Sequence, residues 1–306
     1  MRKIEIDRSM KELLQYRDLR FPLEIWTDDY TLLSDHTLNC HWHHEYEYGV
    51  VLTGELDYFL DGTKLKLKKG DCIFVNANVL HMAEQSAGCS KAVMYIVAFP
   101  YMLLTSNMES TIYRKYFNPL IENGISGFQI FSDSQAGSNI LSVLEQLYRI
   151  FQTEEDYELP CLGLVCQLWN ETRKYAAQKN VFLQHEKVNV QDEERAKTIL
   201  YYIREHFSEA LSIEEIVEKC NISRSGCFRC FKRFTNKSPV MYLNEYRLAQ
   251  AAKKLVATSD SITQIALDCG FSTSSYFCKL FREKYKISPL QYRKTPLEGE
   301  IKGEGR

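Results

Sequence analysis

The chain carries one supersecondary unit twice, and a duplicated unit restricts the fold more than composition does. The stretch from Ser261 to Tyr292 reads SITQIALDCGFSTSSYFCKLFREKYKISPLQY. Ser261 is placed to cap a helix, with Gln264 three residues on, as a capping box requires. Ile262, Ile265 and Ala266 recur at helical spacing and define one apolar face. Gly270 follows, where a helix that must stop needs a residue at ease with positive φ. Phe271 closes the corner. Ser272 is the expected cap of a second helix, with Phe277, Leu280 and Phe281 on its inner face. Two short helices joined by a tight turn predict a helix-turn-helix. An ordinary helical hairpin of an all-α domain is the plainer alternative.

The repeat argues against that alternative. Leu211 to Tyr242 reads LSIEEIVEKCNISRSGCFRCFKRFTNKSPVMY, with Ser212 and Glu215 as another capping box. Ile213, Ile216 and Cys220 align with Ile262, Ile265 and Cys269. After a shift of one residue, Arg229, Phe231 and Lys232 align with Lys279, Phe281 and Arg282. Ser238-Pro239 matches Ser288-Pro289, each an N-cap followed by proline at the first helical position. A period of about fifty residues marks duplicated units. Between them, Pro239 to Ala257 reads as one helix, about 28 Å long at 1.5 Å per residue.

On these residues the region from about Asp192 to Lys294 resembles the DNA-binding domain of the AraC/XylS family of bacterial transcription regulators. The second half, IALDCGFSTSSYFCKLFREKYKISPLQYR, carries the specific match. The first half departs from the family pattern at Gly226, Cys227 and Cys230, where bulkier residues are usual. A glycine inside a recognition helix is expected to cost up to ~1 kcal/mol relative to alanine. The resemblance implies two recognition helices that enter successive major grooves of duplex DNA. Their expected contacts are Arg224, Ser225, Phe228, Arg229 and Lys232 in the first module. In the second they are Thr273, Ser274, Ser275, Cys278, Lys279 and Arg282.

Charge distribution agrees. From Ala196 to Lys294 there are 17 Lys+Arg against 9 Asp+Glu, a net of +8, while the whole chain is at −2. A basic module on an acidic body points to a nucleic-acid partner for the C-terminal part. No secretory signal or membrane span is evident, so a cytoplasmic protein without a membrane partner is expected. The ten cysteines are scattered, read as reduced thiols rather than a disulfide framework. Cys227 and Cys230 form a CxxC, but at i and i+3 of a helix they fit its apolar face, with no second pair to complete a zinc site.

Residues 20 to about 100 read as β. Tyr48–Leu52, Leu56–Leu60, the strictly alternating Lys64–Lys68, Cys72–Val75 and Lys91–Phe99 are short strands, and Asp61-Gly62 is a hairpin signal. Many short strands suggest a small barrel or jelly roll. His41, His43, Glu47 and Gly54 stand in the order HxH, three residues, E, six residues, G. Gly70 to His81 resembles a second, partial motif, with Asn76-Ala77-Asn78 in place of Pro-x-Gly. Both motifs resemble those of cupins, and a cupin-type sensor domain is common in the AraC family. His41, His43, Glu47 and His81 are therefore the candidate effector site. No cofactor is required by this reading, although the same four side chains suit a divalent transition metal. An effector pocket without metal is the plainer of the two.

The resulting architecture is α+β with two domains, a cupin-like β-barrel with a helical extension and an all-α double helix-turn-helix. Its expected boundaries are 1–135 for the barrel, 136–180 for helices that cover it or pair two subunits, 181–191 for a linker, 192–295 for DNA binding and 296–306 for a disordered tail. From Thr105 to Asn180 the pattern reads as helical, with an acidic loop from Thr153 to Leu159. The chain reads as a regulator whose expected partners are operator DNA, a small-molecule effector and a second copy of itself, with RNA polymerase as a further candidate. The competing class is a cupin enzyme, a metal-dependent dioxygenase or isomerase fused to a DNA-binding tether. A regulator controlled by abundance alone is a third reading.

Overall fold

The computed structural model describes residues 6–7, 9–180, 190–235 and 237–294. The expected linker, apart from its last residues, and the expected disordered tail lie outside the described residues. The chain divides into two compact units: residues 1–194 with the short segment 233–236, and the remainder.

In the first unit, nine strands among the described residues form two antiparallel sheets rather than one closed ring. One sheet has the order β1 (Glu24–Asp29), β8 (Val93–Phe99), β3 (Tyr46–Thr53), β6 (Cys72–Val75), β9 (Gly127–Ile130). The other runs β2 (Thr37–His41), β7 (His81–Gln85), β4 (Glu55–Leu60), β5 (Thr63–Lys68). This is the double-sheet form of a jelly roll. The Asp61-Gly62 hairpin is present, with φ of 48° and 74° as a type I′ turn requires.

Side-chain alternation explains why the first sheet is apolar on both faces. On β3, Tyr46, Tyr48 and Val50 point to one core; Val51 points to the other. On β8, Tyr95, Val97 and Phe99 join the first core, and Met94, Ile96 and Ala98 the second. The second core lies between the sheets. The first is closed by two helices, α2 (Gln135–Thr153) and α3 (Glu158–Gln178), after the short α1 (Asn118–Glu122). Ile140, Val143, Leu144 and Leu147 of α2 and Val165, Leu168 and Trp169 of α3 are all buried there. The apolar faces seen in the sequence thus cover the sheet. The loop between these helices is where the acidic run predicted it. The expectation that the whole of 105–180 is helical fails at β9. Those four residues pair with β6, an interaction that helical periodicity cannot reveal.

The second unit is helical: α4 (Val190–His206), α5 (Ile213–Lys219), α6 (Arg224–Thr235), α7 (Pro239–Ala257), α8 (Ile262–Asp268), α9 (Ser274–Tyr285) and α10 (Pro289–Lys294). Ser212 and Glu215 form the full capping box of α5. Ser261 caps α8 by accepting from Gln264 N, but the Gln264 side chain turns to Asp268 Oδ1 at 2.7 Å instead of completing the box. Ser238 caps α7 and Ser288 accepts from Gln291 N at the start of α10. The cap of α9 is Thr273, whose Oγ1 accepts from Tyr276 N, not Ser272. Gly270 has φ +79°, and a Cβ there would lie 2.4 Å from Phe207 O, so the turn into α9 admits only glycine without distortion. Phe271, Phe277, Phe281 and Cys269 fill the core of this second module.

Candidate metal centre and nucleic-acid face

β2 and β7 pair antiparallel, with His41 and His81 as Cα partners. This register brings their imidazoles to a ring separation of 4.2 Å. His43 lies just past the end of β2, in the connection to β3, and so not on the strand that carries His41. It converges all the same, with its ring 5.9 Å from His41 and 5.0 Å from His81. Glu47 sits on β3 between Tyr46 and Tyr48, which point to the helix-covered core. Alternation therefore turns Glu47 inward. Its Oε2 is 3.1 Å from His43 Nε2 and 3.8 Å from His81 Nε2. Gly54, the last residue of the first motif, follows β3 with φ +78°, and a Cβ there would fall 1.9 Å from Lys91 O.

All three histidines are oriented by backbone carbonyls. His41 Nδ1 donates to Asn39 O at 2.8 Å, His43 Nδ1 to Glu45 O at 3.1 Å, and His81 Nδ1 to Val79 O at 2.9 Å. A carbonyl only accepts, so each Nδ1 carries a proton; a neutral ring then keeps its Nε2 lone pair, whereas without an ion His43 Nε2 donates to the acceptor-only Glu47 Oε2 at 3.1 Å. One ligand atom from each ring lies within 4.8 Å of the others, and all three residues are buried. Tyr58 Oη donates to Glu47 Oε1 at 3.1 Å and fixes the carboxylate from behind.

Burial lowers the basicity of His41, and the neighbouring His81 and His43 rings lower it further, well below the ordinary imidazole value. Burial acts the same way on His43, but the Glu47 carboxylate outweighs it and raises this ring. Burial alone would raise the Glu47 carboxyl; the His81 and His43 imidazoles reverse that and hold it well below the usual carboxylate range. His81 Nε2 is buried and makes no hydrogen bond. Carbonyl-oriented imidazoles, a shared carboxylate and an orphaned ring nitrogen fit a divalent transition-metal ion. The cavity lined by His41, Glu47, Tyr58 and His81 holds only about 10 Å³, room for about one water.

Sequence reasoning missed one member. Glu12, 2 % exposed, places Oε2 3.5 Å from His41 Nε2. No spacing rule links residues 12 and 41. Trp42, by contrast, stands outside the cluster, and its Nε1 donates to Ser9 O.

In the second unit the predicted contact residues form two outward stripes. On α6, Ser225, Arg229 and Lys232 are exposed, Phe228 is half-buried, and Cys227 and Cys230 are buried on the opposite face. Arg224 is exposed but pairs with Glu214 and lies 5.9 Å over the Phe228 ring. On α9, Ser275, Lys279 and Arg282 are exposed and Ser274 and Cys278 are half-buried. Thr273 is exposed, and its hydroxyl serves the helix cap. Among the described residues Arg229 and Arg282 have no ion-pair partner, while Lys279 stands 4.0 Å from Glu283. The helical cysteine pair packs into the core, as its spacing implied.

Comparison with known proteins bears on both units. A family described as a helix-turn-helix domain matches residues 216–295, and one described as a cupin domain matches residues 31–97. Over 295 residues the chain is 25 % identical to the uncharacterized HTH-type transcriptional regulator YdeC of Bacillus subtilis, covering 96 % of this chain and 99 % of that one. It is 26 % identical to the HTH-type transcriptional activator RhaS of Shigella sonnei over 259 residues, 83 % of this chain and 86 % of that one. A crystal structure of a transcriptional regulator with an AraC-type DNA-binding domain, from Chromobacterium violaceum, is 30 % identical, with a TM-score of 0.34, covering 36 % of this chain and 99 % of that one. The chain belongs to the AraC/XylS family of transcription regulators. This AraC/XylS regulator therefore carries its double helix-turn-helix behind a cupin-type domain, in the order its sequence suggested. Among the described residues no helix is long and apolar enough to cross a membrane.

Proposed function

We propose that this regulator binds duplex DNA through the exposed faces of α6 and α9 and takes its signal at the His41, His43, Glu47 and His81 cluster, which holds a divalent transition-metal ion. The observation that carries the reading is the clustering of one ring nitrogen from each of three carbonyl-oriented histidines within 4.8 Å, with the buried Glu47 carboxylate 3.1 Å from His43 Nε2 and 3.8 Å from His81 Nε2. When bound, the ion supplies a fixed charge that draws these donors together and stiffens the ends of β2, β3 and β7 around it. The chain's own part is to present neutral imidazoles and to hold Glu47 through Tyr58. The enzyme alternative asks for substrate room beside the ion. A cavity of about 10 Å³ does not favour it, and we assign no enzymatic activity.

Arg229 of α6 and Lys279 and Arg282 of α9 would meet base edges and phosphates, with Ser225 and Ser275 as smaller polar contacts. A second copy is a partner in the same proposal. The main apolar faces of α2 and α3 are used against the sheet, but α3 keeps an exposed stripe of Leu159, Gly163 and Cys166 at i, i+4 and i+7. Two copies paired there would prefer two half-sites on DNA. Such a regulator works in the cytoplasm and acts on RNA polymerase at its promoters. One experiment tests the core of the reading: metal analysis of the purified protein combined with selection of bound duplexes from a random library. One ion per chain and an enriched sequence support it; a metal-free protein that enriches no sequence sinks it. Light scattering of the full chain tests the pairing, and a clean monomer at micromolar concentration rejects it.

A further inference from the structure

Glu12 reaches the cluster from outside the two sheets. Backbone bonds hold its segment beside the connection that carries His43. Glu12 N donates to Trp42 O at 2.8 Å, and Trp42 N donates to Met10 O at 3.0 Å. Met10 is fully buried, and Trp42 Nε1 adds its bond to Ser9 O at 2.9 Å. The segment is thus anchored on both sides of Trp42. Four residues on, Tyr16 donates to Glu45, which follows His43. With this anchorage the Glu12 carboxylate is buried, and Oε2 stands 3.5 Å from His41 Nε2.

We propose that Glu12 is a fifth donor of the centre and that the divalent ion is itself the signal this regulator senses. The inference rests on the reading of the cluster as a metal site. Two arguments carry it further. The first is charge. Three neutral imidazoles and two carboxylates sum to −2, which one divalent cation cancels. A centre neutralised in this way has no surplus charge with which to hold an anionic organic effector. The second is room. The cavity of about 10 Å³ lined by Glu12, His41, Glu47 and His81 is about the size of one water, so an ion held by these donors would fill it. An organic ligand that chelates through two atoms has no place. Imidazole and carboxylate donors without a thiolate suit Mn²⁺, Fe²⁺, Co²⁺, Ni²⁺ or Zn²⁺ rather than Cu⁺.

The test uses the full chain, stripped with a chelator and titrated with Mn²⁺, Co²⁺, Ni²⁺ or Zn²⁺ alone. Bound ion per chain is counted by elemental analysis, and the visible spectrum of the Co²⁺ form reports coordination number. Duplexes are selected from a random library with both stripped and loaded protein, and their affinities for each form are then compared. The expected result is one ion per chain and a weak, five- or six-coordinate Co²⁺ spectrum. Glu12→Gln should weaken binding at least ~10-fold, and loaded and stripped protein should differ at least ~5-fold in DNA affinity. An intense four-coordinate Co²⁺ spectrum in the wild type, or a Glu12→Gln titration equal to wild type, overturns Glu12 as donor. Equal DNA affinity with and without ion overturns the ion as signal while leaving the metal site intact. Failure of the wild type to take up any of the ions removes the metal reading itself. If Glu12→Gln does not fold, the wild-type spectrum and the DNA comparison still decide.

Discussion

Tyr58 Oη donates to Glu47 Oε1 at 3.1 Å, while Glu47 Oε2 faces His43 Nε2 at the same distance. One carboxylate therefore joins the phenol of β4 to the candidate metal centre. Both residues are buried, so neither bond is shared with bulk water. Tyr58→Phe removes a single oxygen and keeps the ring. It should weaken ion binding by roughly 10–100-fold, as loss of an outer partner commonly does, with about 1 kcal/mol of stability. Calorimetric titration of metal-stripped protein checks this, and unchanged affinity would show that Glu47 is positioned without Tyr58.

Two of the exposed cations on α6, Arg229 and Lys232, should differ in kind. If Arg229 reads a guanine bidentately, Arg229→Ala costs ~1–3 kcal/mol on the selected duplex and relaxes preference at one base pair. Lys232→Ala should weaken specific and random DNA alike and reduce the salt slope by about 1. Fluorescence anisotropy over a salt series separates them. Equal loss on both DNAs for Arg229→Ala would make it a phosphate contact.

Ser212 Oγ accepts from Glu215 N, and Ser212 N donates in turn to Glu215 Oε2 at 2.7 Å. Ser212→Ala removes the cap of α5 and should cost ~1 kcal/mol, within a range of about 0.5–2. Urea unfolding of the full chain, followed by helical circular dichroism, measures the loss.

Gly226 and Gly270 should respond differently to alanine. Gly226 lies in the first turn of α6, where its N–H donates to Ser223 Oγ at 3.1 Å. A Cβ there would stand 3.0 Å from Ser223 Oγ and 3.1 Å from Ile222 Cγ1. The gain of up to ~1 kcal/mol expected from helix propensity should therefore largely disappear, leaving Gly226→Ala near neutral. Gly270→Ala meets Phe207 O at 2.4 Å with φ +79° and should destabilise by more than ~1 kcal/mol. Thermal melts of the two variants, compared side by side, test the contrast.

Local chemistry made the helical unit legible from sequence alone. Caps at Ser212, Ser238 and Ser261, the glycine stop at Gly270 and the buried periodicity of Phe277 and Phe281 act within a few residues of one another, so each leaves a local trace. Period-2 alternation likewise marked the strands, and motif spacing marked His41, His43, Glu47 and His81. The choice between Ser272 and Thr273 as cap was not legible, because adjacent hydroxyls offer the same chemistry and only the backbone path selects one. Periodicity showed that α2 and α3 have apolar faces but not what would cover them; the first sheet does. β9 exists because β6 offers it a free edge, and Glu12 joins the centre because backbone bonds to Trp42 carry it there. Pairings across tens of residues depend on where the chain returns in space, and that only the tertiary structure decides.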